Sequence, residues 1–369
     1  MKVALVIPSF YPATVYGGSI FASYYLTKEA AHQGLDIRVL TTNANGKERL
    51  KIVSNKFIDL DGFKIKYYHE QCIKYFSFRL LFGLWKDLKS TDVLHLQAIF
   101  SYPTPIALLL AFFFNKKVLL SPRGSLSKYS FQKGSFMKKI WLNLLIKPFV
   151  KKVYWHATST KEESEIKTLF PNAKIYLISD GTYVEEMKPV EKENYIAALG
   201  RIHPVKGYDL LIESFAQIHT QYPEFLLKIA GKDDGCKAAL EELVQKHALT
   251  SKVSFIGNVS GEDKELFLRK AKCLVMPSHT ENFGIVAVEA MAQGTPVIAS
   301  KNTPWEIIEE RKAGFWSENN PIDLQKFIER LLEMKIGEYE KNAHSLAKEY
   351  DWRHIAKQYQ QVLEEIYNE

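Results

Sequence analysis

A chain of 369 residues, 46% hydrophobic and 25% charged, has room for two domains and is too apolar to be disordered. Its formal net charge of +7 suits phosphate-bearing ligands, anionic membrane surfaces or nucleic acid, and excludes none of them. Cys72, Cys236 and Cys273 are scattered with no CxxC pair, which argues against a disulfide framework or a structural zinc site and for a reducing compartment.

The N-terminus runs from Met1-Lys2 into a short apolar stretch with no A-x-A-like site, so no signal peptide is expected. Residues 2–7 read as a buried parallel strand. A loop with Pro8, Pro12 and Gly17-Gly18 leads to a helical pattern, Phe21, Tyr25, Leu26 and Ala30, which ends near Gly34. Residues 37–40 are the next strand, and 53–68 a hairpin turning at Asp61-Gly62. Further strands are expected at 92–96, 117–121, 154–158 and 175–178. The longest apolar run, 106–114, is about half of a membrane span and reads as a buried helix.

An acidic stretch, 181–194, containing Pro189, is the expected linker between domains 1–180 and 195–350. Beyond it strands are expected at 195–199, 226–230, 253–256, 273–276 and 297–299, with helices centred near Leu211, Leu243, Phe267 and Ala290. Helical segments follow from about Ile322, and 351–369 form a last helix with Trp352, Ile355, Tyr359, Val362 and Ile366. Alternating strands and helices predict two α/β domains, each a doubly wound parallel sheet.

Three loops carry chemistry. The segment 278–292 leaves a strand and enters a helix, with Glu281 and Glu289 at most about 12 Å apart along its axis. That span fits the hexose and ribose ends of a nucleotide sugar, with free N–H groups near Gly284 and Ile285 facing the phosphates. In the segment 200–207, Arg201 and Lys206 are expected to converge on a diphosphate, where cations stabilise a departing anion. Gly17-Gly18 permits close backbone approach to a phosphate. No G-x-G-x-x-G dinucleotide fingerprint is present, which counts against a dehydrogenase. Asp59-Leu60-Asp61 imitates a metal-binding D-x-D but falls in the hairpin and reads as turn chemistry.

Together the N-terminal glycine loop, the GR-x4-KG and E-x7-E motifs and the segment around Asp351-Trp352 resemble the retaining GT-B glycosyltransferases of family 4, in order and over nearly the whole chain. The resemblance implies two Rossmann-like domains facing a central cleft, the first on the acceptor side and the second on the donor side. The final helix is expected to cross back onto the N-terminal domain. It implies Glu281, Arg201, Lys206 and Arg123 as catalytic residues. It implies Gly17, Gly18, Arg201, Lys206, Ile256, Asn282, Phe283, Gly284, Ile285 and Glu289 as donor-binding, with the first glutamate on the sugar and the second on the ribose. No cofactor and no metal are implied. The substrate is a UDP- or GDP-type nucleotide sugar, and the acceptor a saccharide or lipid-linked saccharide of bacterial surface polysaccharide or glycolipid assembly. The chain departs from the family pattern at Arg123 and Gln97, where histidine is common, and at Asp180, where asparagine is usual.

Residues 128–152 hold Lys128, Lys133, Lys138, Lys139, Lys147, Lys151 and Lys152 and no acidic residue, interleaved with Phe131, Phe136, Trp141 and Phe149. This predicts either contact with an anionic membrane, at the inner face of the cytoplasmic membrane, or an ordinary helix with a solvated lysine face. The other functions left open are a GT-B enzyme of another type, epimerase or glycogen-synthase-like, a nucleic-acid-binding protein, and a non-catalytic sugar-nucleotide binder inactivated by the change at Arg123. No helix-turn-helix, zinc or RNP signature supports the nucleic-acid reading, and no nucleic-acid partner is expected.

Overall fold

Short apolar runs separated by amphipathic helices can be buried on both faces only as parallel strands, and that is how the chain folds. The computed structural model describes residues 1–71, 75–132 and 135–369. Cys72 and Lys133 lie outside the described residues. The chain divides into two units, Met1–Asp180 with Trp352–Glu369, and Gly181–Asp351.

The first unit contains β1 (Lys2–Ser9), β2 (Asp36–Thr42), a small hairpin of β3 (Ala44–Asn45) and β4 (Glu48–Arg49), β5 (Phe57–Leu60), β6 (Phe63–Tyr68), β7 (Val93–Gln97), β8 (Lys117–Ser121), β9 (Val153–Ala157) and β10 (Lys174–Leu177). The main sheet has the order β10-β9-β8-β7-β1-β2-β6-β5, parallel except where β5 returns beside β6. Asp61 and Gly62 both take positive φ at that turn, and Asp61 accepts the Tyr24 hydroxyl. The order reverses between β1 and β7, so the carboxyl ends of those strands form a switch point where open α/β sheets bind ligands. The last helix, Trp352–Asn368, packs on helix Gly18–His32 and buries Trp352, Ile355, Tyr359, Leu363 and Ile366.

The second unit contains β11 (Tyr195–Leu199), β12 (Leu226–Ala230), β13 (Val253–Gly257), β14 (Cys273–Met276), β15 (Val297–Ser300) and β16 (Gly314–Ser317), in the order β13-β12-β11-β14-β15-β16, all parallel. Its switch point lies between β11 and β14.

Several expectations need correction. Residues 181–194 are not a free linker. Val184 N–H donates to the Asp351 carboxylate, and Lys192 Nζ donates to Arg269 O at 2.8 Å and Thr295 Oγ1 at 3.0 Å, so the segment belongs to the second unit. The apolar run forms helix Pro103–Phe113, but only one side is buried, and Leu109, Phe112 and Phe113 face outward. Helix Phe78–Lys89, capped by Ser77 and anchored by Leu80, Leu84 and Leu88, was not expected, nor was β16. Among the described residues of 128–152, Lys128–Gln132 and Ser135–Trp141 are α-helical, and the second runs on into a wide turn at Leu142–Ile146 and a tight one at Lys147–Lys152. Lys138 is folded back onto the Ser130 carbonyl and over the Phe100 ring, which removes it from a solvated face.

Candidate functional site

In the second unit, the loops leaving β11 and β14 meet at the switch point. His279 N–H donates to Val205 O at 2.8 Å, and Gly207 packs against Pro277. Gly207 has φ +63°, and a Cβ there would lie 2.1 Å from Pro277 O, so this closure requires glycine. It brings together Lys206 and Glu281, whose Nζ and Oε1 are 2.5 Å apart with both side chains largely buried. Ser278 Oγ donates to the same Glu281 oxygen at 2.8 Å. Two donors thus fix the carboxylate.

Tyr208, next in the loop, is fully enclosed with a hydroxyl that has no partner. Burial and the nearby Glu281 charge raise its pKa, so it stays a neutral donor. The sequence reading missed Tyr208 because a tyrosine opening a helix looks like core.

Gly284, at φ +81°, caps helix Ile285–Ala292 with no side chain closing its N-terminus. Phe283 is buried edge-on to Trp305, whose Nε1 donates to Phe283 O at 2.6 Å. That ring anchors the turn and is not free to contact a ligand. Asn282 is half-buried beside it, and Ile256 is exposed near the end of β13. Glu289 sits in the helix and pairs with Lys264 at 2.7 Å. Arg201 does not converge with Lys206. Ile202 is buried and bridges Asp233, so alternation turns Arg201 outward, where it meets Asp234 at 2.6 Å with both side chains about half exposed.

In the first unit, Gly17 has φ +78° and Gly18 opens helix Gly18–His32, whose N-terminus has no side-chain cap. Gln97 ends β7 at the switch point, and Arg123 follows β8. Arg123 holds φ +55°, a strained conformation for a residue with a side chain. Glu162, hydrogen-bonded to Gly124 N–H at 2.6 Å and to Thr158, secures that loop. Arg123 Nη1 pairs with Asp180 at 2.5 Å, and its Nε donates to Gln97 Oε1 at 3.3 Å. Ser23 Oγ donates to the same Gln97 oxygen at 2.6 Å. The Arg123 Nε–H can only donate, so the Gln97 oxygen faces it, and the Gln97 Nε2, like Arg123 Nη2, is buried without a partner. Each such donor costs about 1–3 kcal/mol unless an acceptor arrives.

Beneath this site runs a buried chain of hydrogen bonds through His95 and His156. His156 Nε2 must donate to the Ile178 carbonyl at 2.7 Å, which leaves its Nδ1 to accept from Ser121 Oγ at 2.6 Å. Ser121 then accepts from His95 Nε2 at 2.8 Å, and His95 Nδ1 accepts from the Tyr359 hydroxyl at 2.8 Å. Only this direction satisfies every group, and both imidazoles are neutral. Burial first, and the Arg123 charge as well, push His156 down to about 3 and His95 well below its ordinary value.

Residues 181–350 match the family model of glycosyl transferases group 1. That match covers the second unit and under half of the chain. It is 34% identical over 173 residues to an uncharacterised glycosyltransferase of Methanocaldococcus jannaschii, covering 46% of this chain and 44% of that one. It is 33% identical over 170 residues to the O-antigen chain mannosyltransferase of Salmonella typhimurium, covering 45% and 47%. The chain thus spans about half the length of the curated relatives it matches. The GT-B fold itself extends over the whole chain. The Anabaena protein HepE, solved in complex with UDP, matches with a TM-score of 0.79 at 17% identity over 99% of this chain and 100% of that one. Among the described residues no helix is long and apolar enough to cross a membrane.

Proposed function

We propose that the protein is a retaining, metal-independent glycosyltransferase of the family 4 type. On this reading it moves a hexosyl unit from a UDP- or GDP-sugar to a hydroxyl of a saccharide or lipid-linked saccharide. The pathway is surface polysaccharide assembly (O-antigen, capsule or exopolysaccharide) or glycolipid assembly. The observation that carries the reading is the Lys206–Glu281 pair at the switch point of a group 1 domain, beside an uncapped helix N-terminus. The UDP bound to HepE and the activity named for the Salmonella relative support the donor class and the pathway.

On this reading Lys206 exchanges Glu281 for the diphosphate, whose charge grows as the sugar C1–O bond breaks. Glu281, released but still held by Ser278, faces the hexose, where positive charge develops. Glu289 exchanges Lys264 for the ribose hydroxyls. The partnerless N–H groups of Gln97 and Arg123 are offered to a sugar oxygen. The acceptor oxygen forms the new bond to C1 on the face the diphosphate leaves, and its proton passes to the departing phosphate oxygen. No protein carboxylate acts as base. The protein acts at the inner face of the cytoplasmic membrane, held there peripherally.

A thermal-shift panel of UDP- and GDP-sugars tests the reading, because a ligand that binds only the folded state stabilises it by about 2.7 kcal/mol at a hundredfold excess over Kd. At least one donor should raise Tm, and Lys206→Ala should abolish that rise. A flat panel would overturn the proposal. Products formed from donor without acceptor would favour an epimerase instead.

A further inference from the structure

Three strands of the first unit begin side by side, β8 at Lys117, β9 at Val153 and β10 at Lys174. Helix Pro103–Phe113 connects β7 to β8, so its C-terminal end reaches the same edge of the sheet. A cavity of about 530 Å³ opens there. Lys116, Lys117, Lys151, Lys152 and Lys174 line it, and no acidic residue does. Among the described residues only Lys174 of the five makes an ion pair, with Glu369 at 2.8 Å. The floor is apolar and includes Leu108, Phe112 and Phe149; Lys152 Nζ stands 4.2 Å above the Phe112 ring, and Lys116 Nζ donates to the Lys89 carbonyl at 3.3 Å.

Like charges gathered over an apolar floor are unfavourable until an anion enters, and the floor suits a hydrocarbon better than water. The rim continues the pattern. Leu109, Phe112 and Phe113 are 57%, 51% and 68% exposed, and Phe113 packs against Trp85, itself 43% exposed. Such a patch beside lysines has the composition of an interfacial surface.

We propose that this groove binds the headgroup of one anionic phospholipid molecule. Lys116, Lys117, Lys151 and Lys152 hold the phosphate, the floor with Phe112 takes the first methylenes of the acyl chain, and Phe113 and Leu109 enter the bilayer interface. The proposal rests on the peripheral membrane association proposed above and relocates it. The contact is the edge where β8, β9 and β10 begin, not the whole of 128–152. Arg123 follows the other end of β8, about 13 Å away along a five-residue strand, so the lipid site is separate from the one beside Gln97.

Calorimetry with monomeric dihexanoylphosphatidylglycerol tests the groove without a bilayer. The wild-type chain should bind it, and Lys151→Gln with Lys152→Gln should weaken binding about 20–30-fold, roughly fivefold per lysine. Phe112→Ser should also weaken it. Dihexanoylphosphatidylcholine and inorganic phosphate should bind more weakly than the anionic lipid. Lys138→Gln with Lys139→Gln is the control and should leave binding unchanged. All these side chains except Lys138 are substantially exposed or at the rim, and the thermal midpoint of each variant checks the fold. Wild-type affinity in Lys151→Gln/Lys152→Gln, or inorganic phosphate binding as tightly as the lipid, overturns the proposal. Vesicles of phosphatidylglycerol separate the two claims. If vesicles bind and the double variant binds them equally, the groove is wrong and the membrane reading stands. If monomeric lipid binds and vesicles do not, the groove stands and the membrane reading falls.

Discussion

The buried chain from Tyr359 to Ile178 makes the first unit acid-sensitive in a way that can be worked out. His95 and His156 are neutral when folded, with His156 pushed down to about 3 and His95 far below its usual value. In the unfolded chain both titrate near pH 6.5. Above that pH neither state binds the proton, and the stability is fully present. As pH falls from 6.5 toward 3 the unfolded state takes up protons that the folded state refuses, so stability is lost. Between pH 7 and pH 5 each histidine contributes a loss of about 2 kcal/mol, or about 4 kcal/mol together. Other groups titrate over the same range, so the informative quantity is the difference between chains. Urea unfolding at both pH values, followed for the wild-type chain and for His156→Gln, supplies it. Glutamine cannot ionise and keeps a donor for Ile178 O. The variant should be less stable at pH 7 and should lose about 2 kcal/mol less on acidification. Equal losses in the two chains would mean that His156 is charged or solvated in the fold, and the directed hydrogen-bond chain would be wrong.

Other outcomes follow from the second unit. Lys206→Ala should lower turnover about 10²–10³-fold in steady-state assays with the donor found by thermal shift, because it removes charge from the leaving group. Gly207→Ala should lower the urea midpoint by the equivalent of about 1–3 kcal/mol, since a left-handed residue and the Pro277 carbonyl both resist a Cβ. It should also reduce turnover, as the loop carrying Lys206 retreats from Glu281. Activity should persist in EDTA; loss in EDTA with recovery on adding manganese would refute metal independence. Free nucleoside diphosphate has a ribose and no hexose, so calorimetry should show Glu289→Gln weakening it about tenfold and Glu281→Gln hardly at all, while Glu281→Gln lowers kcat.

Much of the fold was legible because parallel strands are covered on both faces and so read as unbroken apolar runs. Residues 195–199 and 273–276 are of this kind, and their observed limits agree. The hairpin at Asp61-Gly62 was legible because two consecutive positive φ values select those residues. Helix Phe78–Lys89 has leucines at four-residue spacing, yet outward-facing Phe78, Phe82 and Trp85 fill in the polar side and hide the period. The same effect misassigned Ile106–Phe114, where an all-apolar stretch cannot reveal that one side is exposed. Strand β16 has only Phe315 and Trp316 to announce it.

The site divides along a similar line. Glu281 and Glu289 were legible as a pair because one short segment carries both, but their partners Lys206 and Lys264 depend on tertiary closure. The sequence reading aimed Lys206 at a ligand together with Arg201. What separates these two cations is the alternation that buries Ile202, a detail of one loop. The histidine chain shows what more could have been read. A polar side chain inside an apolar parallel strand costs about 1–3 kcal/mol unless it is paired. His95 and Gln97, Ser121 and His156 stand in three strands that run consecutively across the sheet. Groups so placed are most economically satisfied by one another, and His95, Ser121 and His156 are. Gln97 is the exception, with its carbonyl occupied by Ser23 and Arg123 and its amide left over. A buried donor that the fold leaves unpaired at the carboxyl end of a central strand is better explained by a ligand than by packing. Gln97 is therefore a candidate ligand contact beside Arg123, at a position where the family resemblance showed only a missing histidine.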